Sequence, residues 1–243
     1  MYPNYYIGTS GWHYDHWRRR FYPAELPKKD WLGYYARRFN AVEINASFYR
    51  LPQESTLASW RQAVPSGFLF SLKASRFITH IKRLKDSQEP LQTFTGRAKS
   101  LLNHLGPLLY QLPPGLQRDD PRLESFLGLL DKNVQHVIEF RHPSWINGKV
   151  FDLLLKYRVG FCIFDMPGFT TPNIVTASFA YIRFHGHDSL YASSYPEAEL
   201  AGWADKLRQL SPRPETVYIF FNNDAEGYAL DNALTLRKHL QGN

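Results

Sequence analysis

The residues best suited to chemistry stand at alternate positions in short apolar runs: Glu43 and Asn45, Ser71 and Lys73, Glu139 and Arg141, Arg183 and His185. Gln111, Asp165 and Asn222 sit in three similar runs, with Asn223 beside the last. A carboxylate or imidazole held against a substrate can move protons, so Glu139, Glu43, Asp165 and His185 are the candidate general acids and bases. Lys73, Arg141 and Arg183 can hold and polarise an anionic group, and the amides can orient it. His80, in a Thr-His pair after the Lys73 run, joins this binding set. Buried charges are costly without partners, so these side chains must meet one another or a wet cavity. Three acids (Glu43, Glu139, Asp165) and three fixed cations (Lys73, Arg141, Arg183) balance formally.

Such alternation belongs to β-strands, whose side chains point to opposite faces with a period of two. It predicts strands over residues 5–11, 41–45, 68–74, 108–112, 137–141, 160–165, 180–186 and 217–223. The fifth stops near Arg141 because Pro143 cannot donate to a ladder. Apolar spacing and caps predict helices over about 30–39, 54–63, 91–105, 121–130, 149–157, 197–210 and 229–240. Residues 166–178 read as loop. Alternating strands and helices imply a parallel sheet. Eight units over residues 1–243 predict a single α/β domain. Its fold is a TIM (β/α)8 barrel of eight parallel strands, with the helix after strand 6 weak or missing. An open doubly wound sheet is the other topology, but residues 8–11 lack its Gly-rich phosphate-binding turn.

In a parallel barrel the apolar faces (Val42/Ile44, Phe70/Leu72, Ile138/Phe140, Ile182/Phe184) suit the helix side and the polar faces look to the axis. Nearly all of the polar residues fall in the last third of their strands, the end where barrel enzymes build active sites. Trp12 and Trp145 are expected in the wall. A buried ion pair that merely fixes strand register explains any one pair as well as a site does. It does not explain charges on five strands at one end, where apolar residues would fill the barrel as stably.

Composition narrows the class. The chain is 44% hydrophobic, with no apolar run long enough to span a bilayer, so no membrane role is expected. Its first residues lack the basic start and apolar stretch of a secretion signal, and its one cysteine, Cys162, can form no internal disulfide. A cytoplasmic protein follows, with Cys162 in the core. A net charge of +7 favours anionic partners, although the basic residues are spread over short clusters.

Several motifs follow one another at fitting distances over nearly the whole chain. They are Gly8-Thr9-Ser10-Gly11-Trp12, Tyr14 with Trp17, Phe21-Tyr22-Pro23, Val42-Glu43-Ile44-Asn45 with Phe48-Tyr49, and Lys73-Ala74 with Thr79-His80. Gln111-Leu112-Pro113-Pro114, Glu139-Phe140-Arg141-His142 with Ser144-Trp145, Asp165 with Pro167, Arg183-Phe184-His185-Gly186, and Asn222-Asn223 with the later Asn232-Ala233 complete them. In this order they resemble the YecE-like family, labelled domain of unknown function 72. The resemblance implies a TIM barrel and a mainly prokaryotic cytoplasmic protein, and it supplies no activity. Ala46-Ser47 and Phe184 depart from the family pattern conservatively.

The expected function is an enzyme, a hydrolase, lyase or isomerase. It would use acid/base chemistry on a small anionic or phosphorylated polar substrate at the C-terminal barrel mouth. The turns at Gly186 and Gly227, after strands 7 and 8, would let backbone N–H groups approach a phosphate. A glycoside hydrolase is an alternative, with Glu43 and Glu139 about 5–9.5 Å apart and loop aromatics as sugar platforms. A nucleic-acid-binding protein without catalysis is another, with Arg18–Arg20, Arg37-Arg38 and Lys82-Arg83 tracking phosphates and loop aromatics stacking bases. No ligand motif assigns a metal, and no cofactor or oligomeric state follows from the residues.

Overall fold

The alternating runs form eight parallel strands of a nearly closed barrel, in a computed structural model that describes residues 3–242. Met1 and Tyr2, part of the stretch read for a secretion signal, lie outside the described residues. The barrel strands are β1 (Asn4–Thr9), β2 (Ala41–Ile44), β3 (Leu69–Lys73), β4 (Leu105–Gln111), β5 (His136–Glu139), β6 (Gly160–Met166), β8 (Phe179–Phe184) and β9 (Thr216–Phe221). A two-residue strand, β7 (Phe169–Thr170), folds back antiparallel on β6. Helices α1 (Trp31–Tyr35), α2 (Glu54–Gln62), α3 (Gln88–Ala98), α4 (Asp120–Gly128), α5 (Gly148–Tyr157), α6 (Glu197–Arg208) and α7 (Tyr228–Gln241) fill the crossovers. Among the described residues no helix is long and apolar enough to cross a membrane.

The crossover after β6 has no helix, as its sequence predicts. Pro167, Gly168 and Pro172 cannot sustain one. Two threonines staple the segment to β6 instead: Thr171 Oγ1 accepts from the Phe164 amide (2.8 Å) and Thr176 Oγ1 from the Phe161 amide (2.7 Å).

The ladder runs without a break from β1 through β9 to β2, and side chains close the remaining seam between β1 and β2. Asn40 donates to the Tyr5 carbonyl and accepts from the Ile7 amide, both at 2.8 Å. The Tyr35 hydroxyl accepts from the Thr9 amide (2.9 Å) and donates to the Ala41 carbonyl (3.1 Å). Over this seam the long loop after β1 packs Trp17, Tyr22 and Trp31, with Tyr22 stacked on Trp31 at 4.4 Å. An aromatic loop that covers a seam is ordered by packing.

Two apolar layers follow from the period of two. Val42, Ile44, Phe70, Leu72, Ile138, Phe140, Ile182 and Phe184 belong to the outer layer against the helices, the side expected of them. Ala41, Leu109, Val137, Cys162, Phe179, Tyr181, Tyr218 and Phe220 fill the barrel interior. The lower part of the barrel is therefore a packed core, and Cys162 lies within it.

Candidate active site

Above that inner layer the alternation places charge. Arg183, near the end of β8, reaches across the interior, fully buried, between the two fully buried glutamates. Its Nη2 donates to Glu43 Oε1 (2.7 Å) and its Nη1 to Glu139 Oε2 (2.6 Å) and, at 3.4 Å, to Gln111 Oε1. Glu43 also accepts from Ser10 Oγ and from the Tyr181 hydroxyl, each at 2.7 Å. Tyr181 in turn lies 2.7 Å from Ser71 Oγ. The Cys162 thiol approaches Glu139 Oε2 at 3.7 Å. Since the Arg183 guanidinium fills the gap between the carboxylates, no glycosidic bond can lie between them, and the glycosidase geometry fails.

A second tier rises from this pair toward solvent. Arg141 donates through Nε to Glu139 Oε1 and through Nη2 to His185 Nε2 (2.8 Å), with its guanidinium 4.8 Å over the Phe164 ring. Its Nη1 meets the Met166 sulfur (2.9 Å), a weak acceptor. A guanidinium can only donate, so Nε2 of His185 accepts and the ring proton sits on Nδ1. The Asn222 side-chain amide lies 3.2 Å from that Nδ1, and with the proton there the amide must be flipped so that its Oδ1 accepts. On the other side Lys73 Nζ donates to Gln111 Oε1 (2.7 Å) and stands 4.5 Å over the Phe48 ring. His80, bonded to Thr79 Oγ1 at 2.9 Å, packs its ring against Phe48 at 4.9 Å. Lys73, Gln111 and Asn222 stay partly open to solvent, and the Arg141 side chain beside them is 7% exposed. They form the floor of the mouth.

Four expected members stand elsewhere. Asp165 shares the outward face of Phe161 and Ile163, and its carboxylate accepts from the Tyr195 hydroxyl (3.0 Å) and from Thr170. Residues 160–164 are almost all apolar, so no alternation in the sequence marks which face is which. Trp145 stacks on Phe140 at 4.8 Å, outside the barrel, with its Nε1 on the Leu116 carbonyl. Trp12 is buried against Trp60 (5.0 Å) in the same outer layer. Neither tryptophan lines the mouth. Asn223 is turned away to Ser193 and Asn232, tying the last two loops together. Asn45, just beyond Glu43, keeps a buried Oδ1 without a hydrogen-bond donor.

In the turns expected to cradle phosphate, both glycine amides are already engaged. The Gly186 amide donates to the Tyr195 hydroxyl (3.1 Å) and the Gly227 amide to the Asp224 carbonyl (3.3 Å). Gly186 is needed for another reason. At φ +119°, a Cβ would sit 2.3 Å from the Ser189 carbonyl.

The profile of the family described as "Protein of unknown function DUF72" matches residues 6–243. The chain belongs to this family. Among relatives of the DUF72 chain, the UPF0759 protein YunF of Bacillus subtilis (strain 168) is 25% identical over 93% of this chain and 91% of that one. The UPF0759 protein YecE of Escherichia coli (strain K12) is 30% identical over 58% of this chain and 49% of its own length. A crystal structure of a DUF72 family protein from Thermotoga maritima MSB8 superposes with a TM-score of 0.88 at 29% identity, covering 98% of this chain and 99% of that one. The barrel is thus the fold of the family.

With Asp165 outside, the charges of the DUF72 site no longer balance. Two carboxylates face Lys73, Arg141 and Arg183, an excess of one positive charge. Burial alone would raise the Glu139 carboxyl, but Arg141 and Arg183 outweigh it and hold the group well below the usual range. Burial, then the charges of Arg183 and Arg141, keep His185 neutral. Burial, then Arg183, brings the Lys73 ammonium down to about 8.

Of the residues that contact the site but escape a reading by charge, Tyr181 and Ser10 bind Glu43, and Phe164 and Met166 bind Arg141. Tyr181 was legible by parity, two positions before Arg183. Ser10 and Met166 come from strand ends that carry no such signal.

An acid-limb measurement tests the Glu139 pairing. A carboxyl held low in the native state stabilises the fold above its unfolded pKa of about 4.3, and that gain is lost as pH falls below it. Glu139→Gln is expected to cost about 3 kcal/mol at neutral pH and to flatten the decline of stability below about pH 4. Urea titrations from neutral to acid pH measure both. An unchanged acid limb in the variant would remove Glu139 from this role.

Proposed function

We propose that this DUF72 chain is a cytoplasmic enzyme that moves a proton on a small anionic, phosphorylated substrate held at the C-terminal mouth. The observation that carries this reading is the uncompensated cation of the mouth: Lys73 and the Nη1 of Arg141 present donors that no carboxylate among the described residues takes up. An anion there would complete the charge balance that Arg183, Glu43 and Glu139 satisfy below.

The proton-transfer role passes from the glutamates to Lys73. Glu139 is fixed as an anion, and both glutamates are saturated by Arg183 and its neighbours, so they act by positioning. Lys73, brought down to about 8, exchanges its proton close to working pH, the condition for an effective general base. Arg141 grips the anion. Gln111, Asn222 and neutral His185 supply orienting dipoles, and the side-chain Oδ1 of Asn45 is an acceptor without a protein donor. Proton abstraction from carbon is the shared first step of many isomerases and lyases, and the mouth has the parts for it.

The test is deuterium exchange followed by NMR, with a panel of phosphorylated sugars, nucleotides and organic acids in heavy water. At least one phosphorylated compound is expected to exchange a C–H, at a rate that climbs through about pH 8 as Lys73 loses its proton. Lys73→Met is expected to lower that rate at least about a hundredfold while leaving the fold intact. Exchange that persists in Lys73→Met would end the proposal.

A further inference from the structure

We infer that the mouth also admits a nucleotide unit of a single-stranded nucleic acid, seated on the loops after β2 and β3. This rests on the mouth accepting a phosphate, and it names a molecule that carries one.

Residues 45–53 and 74–87 hold Arg50, Arg76, Lys82, Arg83 and Lys85 against a single acid, Asp86. Among the described residues none of these five cations forms an ion pair, whereas Arg20 pairs with Asp231 at 2.6 Å and Lys28 with Asp15 at 2.5 Å. The same two loops expose large apolar side chains: Tyr49 is 76% accessible, Phe77 44% and Ile81 59%. Water-facing aromatics beside unpaired cations are costly for a bare surface and suited to a strand with phosphates and stackable bases.

The surface is continuous with the site. From Lys73 Nζ the Phe48 ring lies 4.5 Å away, and Phe48 meets Tyr49 at 5.1 Å and His80 at 4.9 Å. Beyond His80, Lys82 rests 5.4 Å over the Phe77 ring. After burial, the charges of Lys73, Arg76 and Arg83 hold the His80 imidazole down, so these cations converge on one place. Phe77–Ile81 is a π-helical turn, and Arg83, Leu84 and Asp86 have φ of +49°, +70° and +43°. Such backbone is costly and is found where loops present side chains for use. Across the mouth, Tyr191 is exposed with its ring 5.5 Å from His185, giving a second stacking face.

The other basic clusters drop out. Of Arg18–Arg20, Arg18 and Arg20 are engaged by the Ala24 carbonyl and Asp231, which leaves Arg19 alone in that cluster. Arg37 and Arg38 precede β2, at the opposite end of the barrel, where Arg38 lies 4.2 Å over Tyr34. A duplex hides its base faces, so the exposed rings select single strands.

Fluorescence anisotropy with a labelled single strand of about ten nucleotides tests this. Binding is expected to weaken as salt rises. Tyr49→Ala and Phe77→Ala should each weaken it about tenfold, and Arg76→Glu with Arg83→Glu about a hundredfold at low salt. Arg37→Glu should leave it unchanged. Absence of binding, insensitivity to both aromatic changes, or equal affinity for duplex or poly-glutamate would overturn the inference. Inorganic phosphate run alongside separates the two readings. A thermal shift by phosphate that needs Lys73, without oligonucleotide binding, refutes the nucleic acid and leaves the mouth standing. Loss of both refutes both.

Discussion

Arg183→Met is expected to prevent the chain from folding to a stable state. The guanidinium is fully buried and carries the contacts that neutralise Glu43 and much of Glu139. Methionine fills the space but leaves two carboxylates in a sealed interior, with Arg141 bonded to only one of them. Removing one partner of a buried pair costs about 3–5 kcal/mol. Two pairs share this arginine, so their costs do not simply add, yet the loss approaches the whole stability of a typical domain, about 5–15 kcal/mol. The check is urea unfolding followed by circular dichroism, with a triple variant as control. Combining Arg183→Met with Glu43→Gln and Glu139→Gln removes both stranded charges and should restore much of the lost stability. If Arg183→Met alone stays within about 1 kcal/mol of the parent, the buried triad does not bear the weight given to it.

Gly8→Ala is expected to be nearly as damaging, for a steric reason. A Cβ at this position would lie 1.9 Å from the Ala41 carbonyl oxygen and 2.8 Å from the Tyr35 hydroxyl. The first is backbone and cannot rotate away, so β1 and β2 would have to part. That seam has no ladder of its own, and it depends on Asn40 and Tyr35 reaching across at hydrogen-bond distance. Ser10, which holds Glu43, follows directly on β1, so opening the seam would also disturb the site. A loss above about 3 kcal/mol is expected, beyond the usual cost of overpacking, together with a weaker phosphate-induced thermal shift. Gly67→Ala has open space around its Cβ and serves as a comparison that carries only the strain of its φ of +85°. Equal stability of Gly8→Ala and the parent would show that the seam tolerates separation.

Much of this was legible because strand periodicity is strict. Where polar and apolar residues alternate, as at Glu43, Lys73, Glu139 and Arg183, one residue's face sets all the others on that strand, and each of these faces the interior as expected. The missing helix after β6 was equally plain, since Pro167, Gly168 and Pro172 forbid it locally. Local rules failed where the chain offered no contrast. Phe161-Cys162-Ile163-Phe164 is apolar on both faces, so the side to which Asp165 points was set by packing of Phe161 and Ile163 against helices. Trp145 follows a proline-led turn whose direction no period fixes, and it stacks outward on Phe140. The pairing of charges is a property of three dimensions. The sequence supplied three acids and three cations; the barrel kept two of those acids inside, set Arg183 between them, and left Lys73 at the mouth with a lowered pKa. A residue's type states what it can ionise or bond, whereas its burial and neighbours decide whether it does.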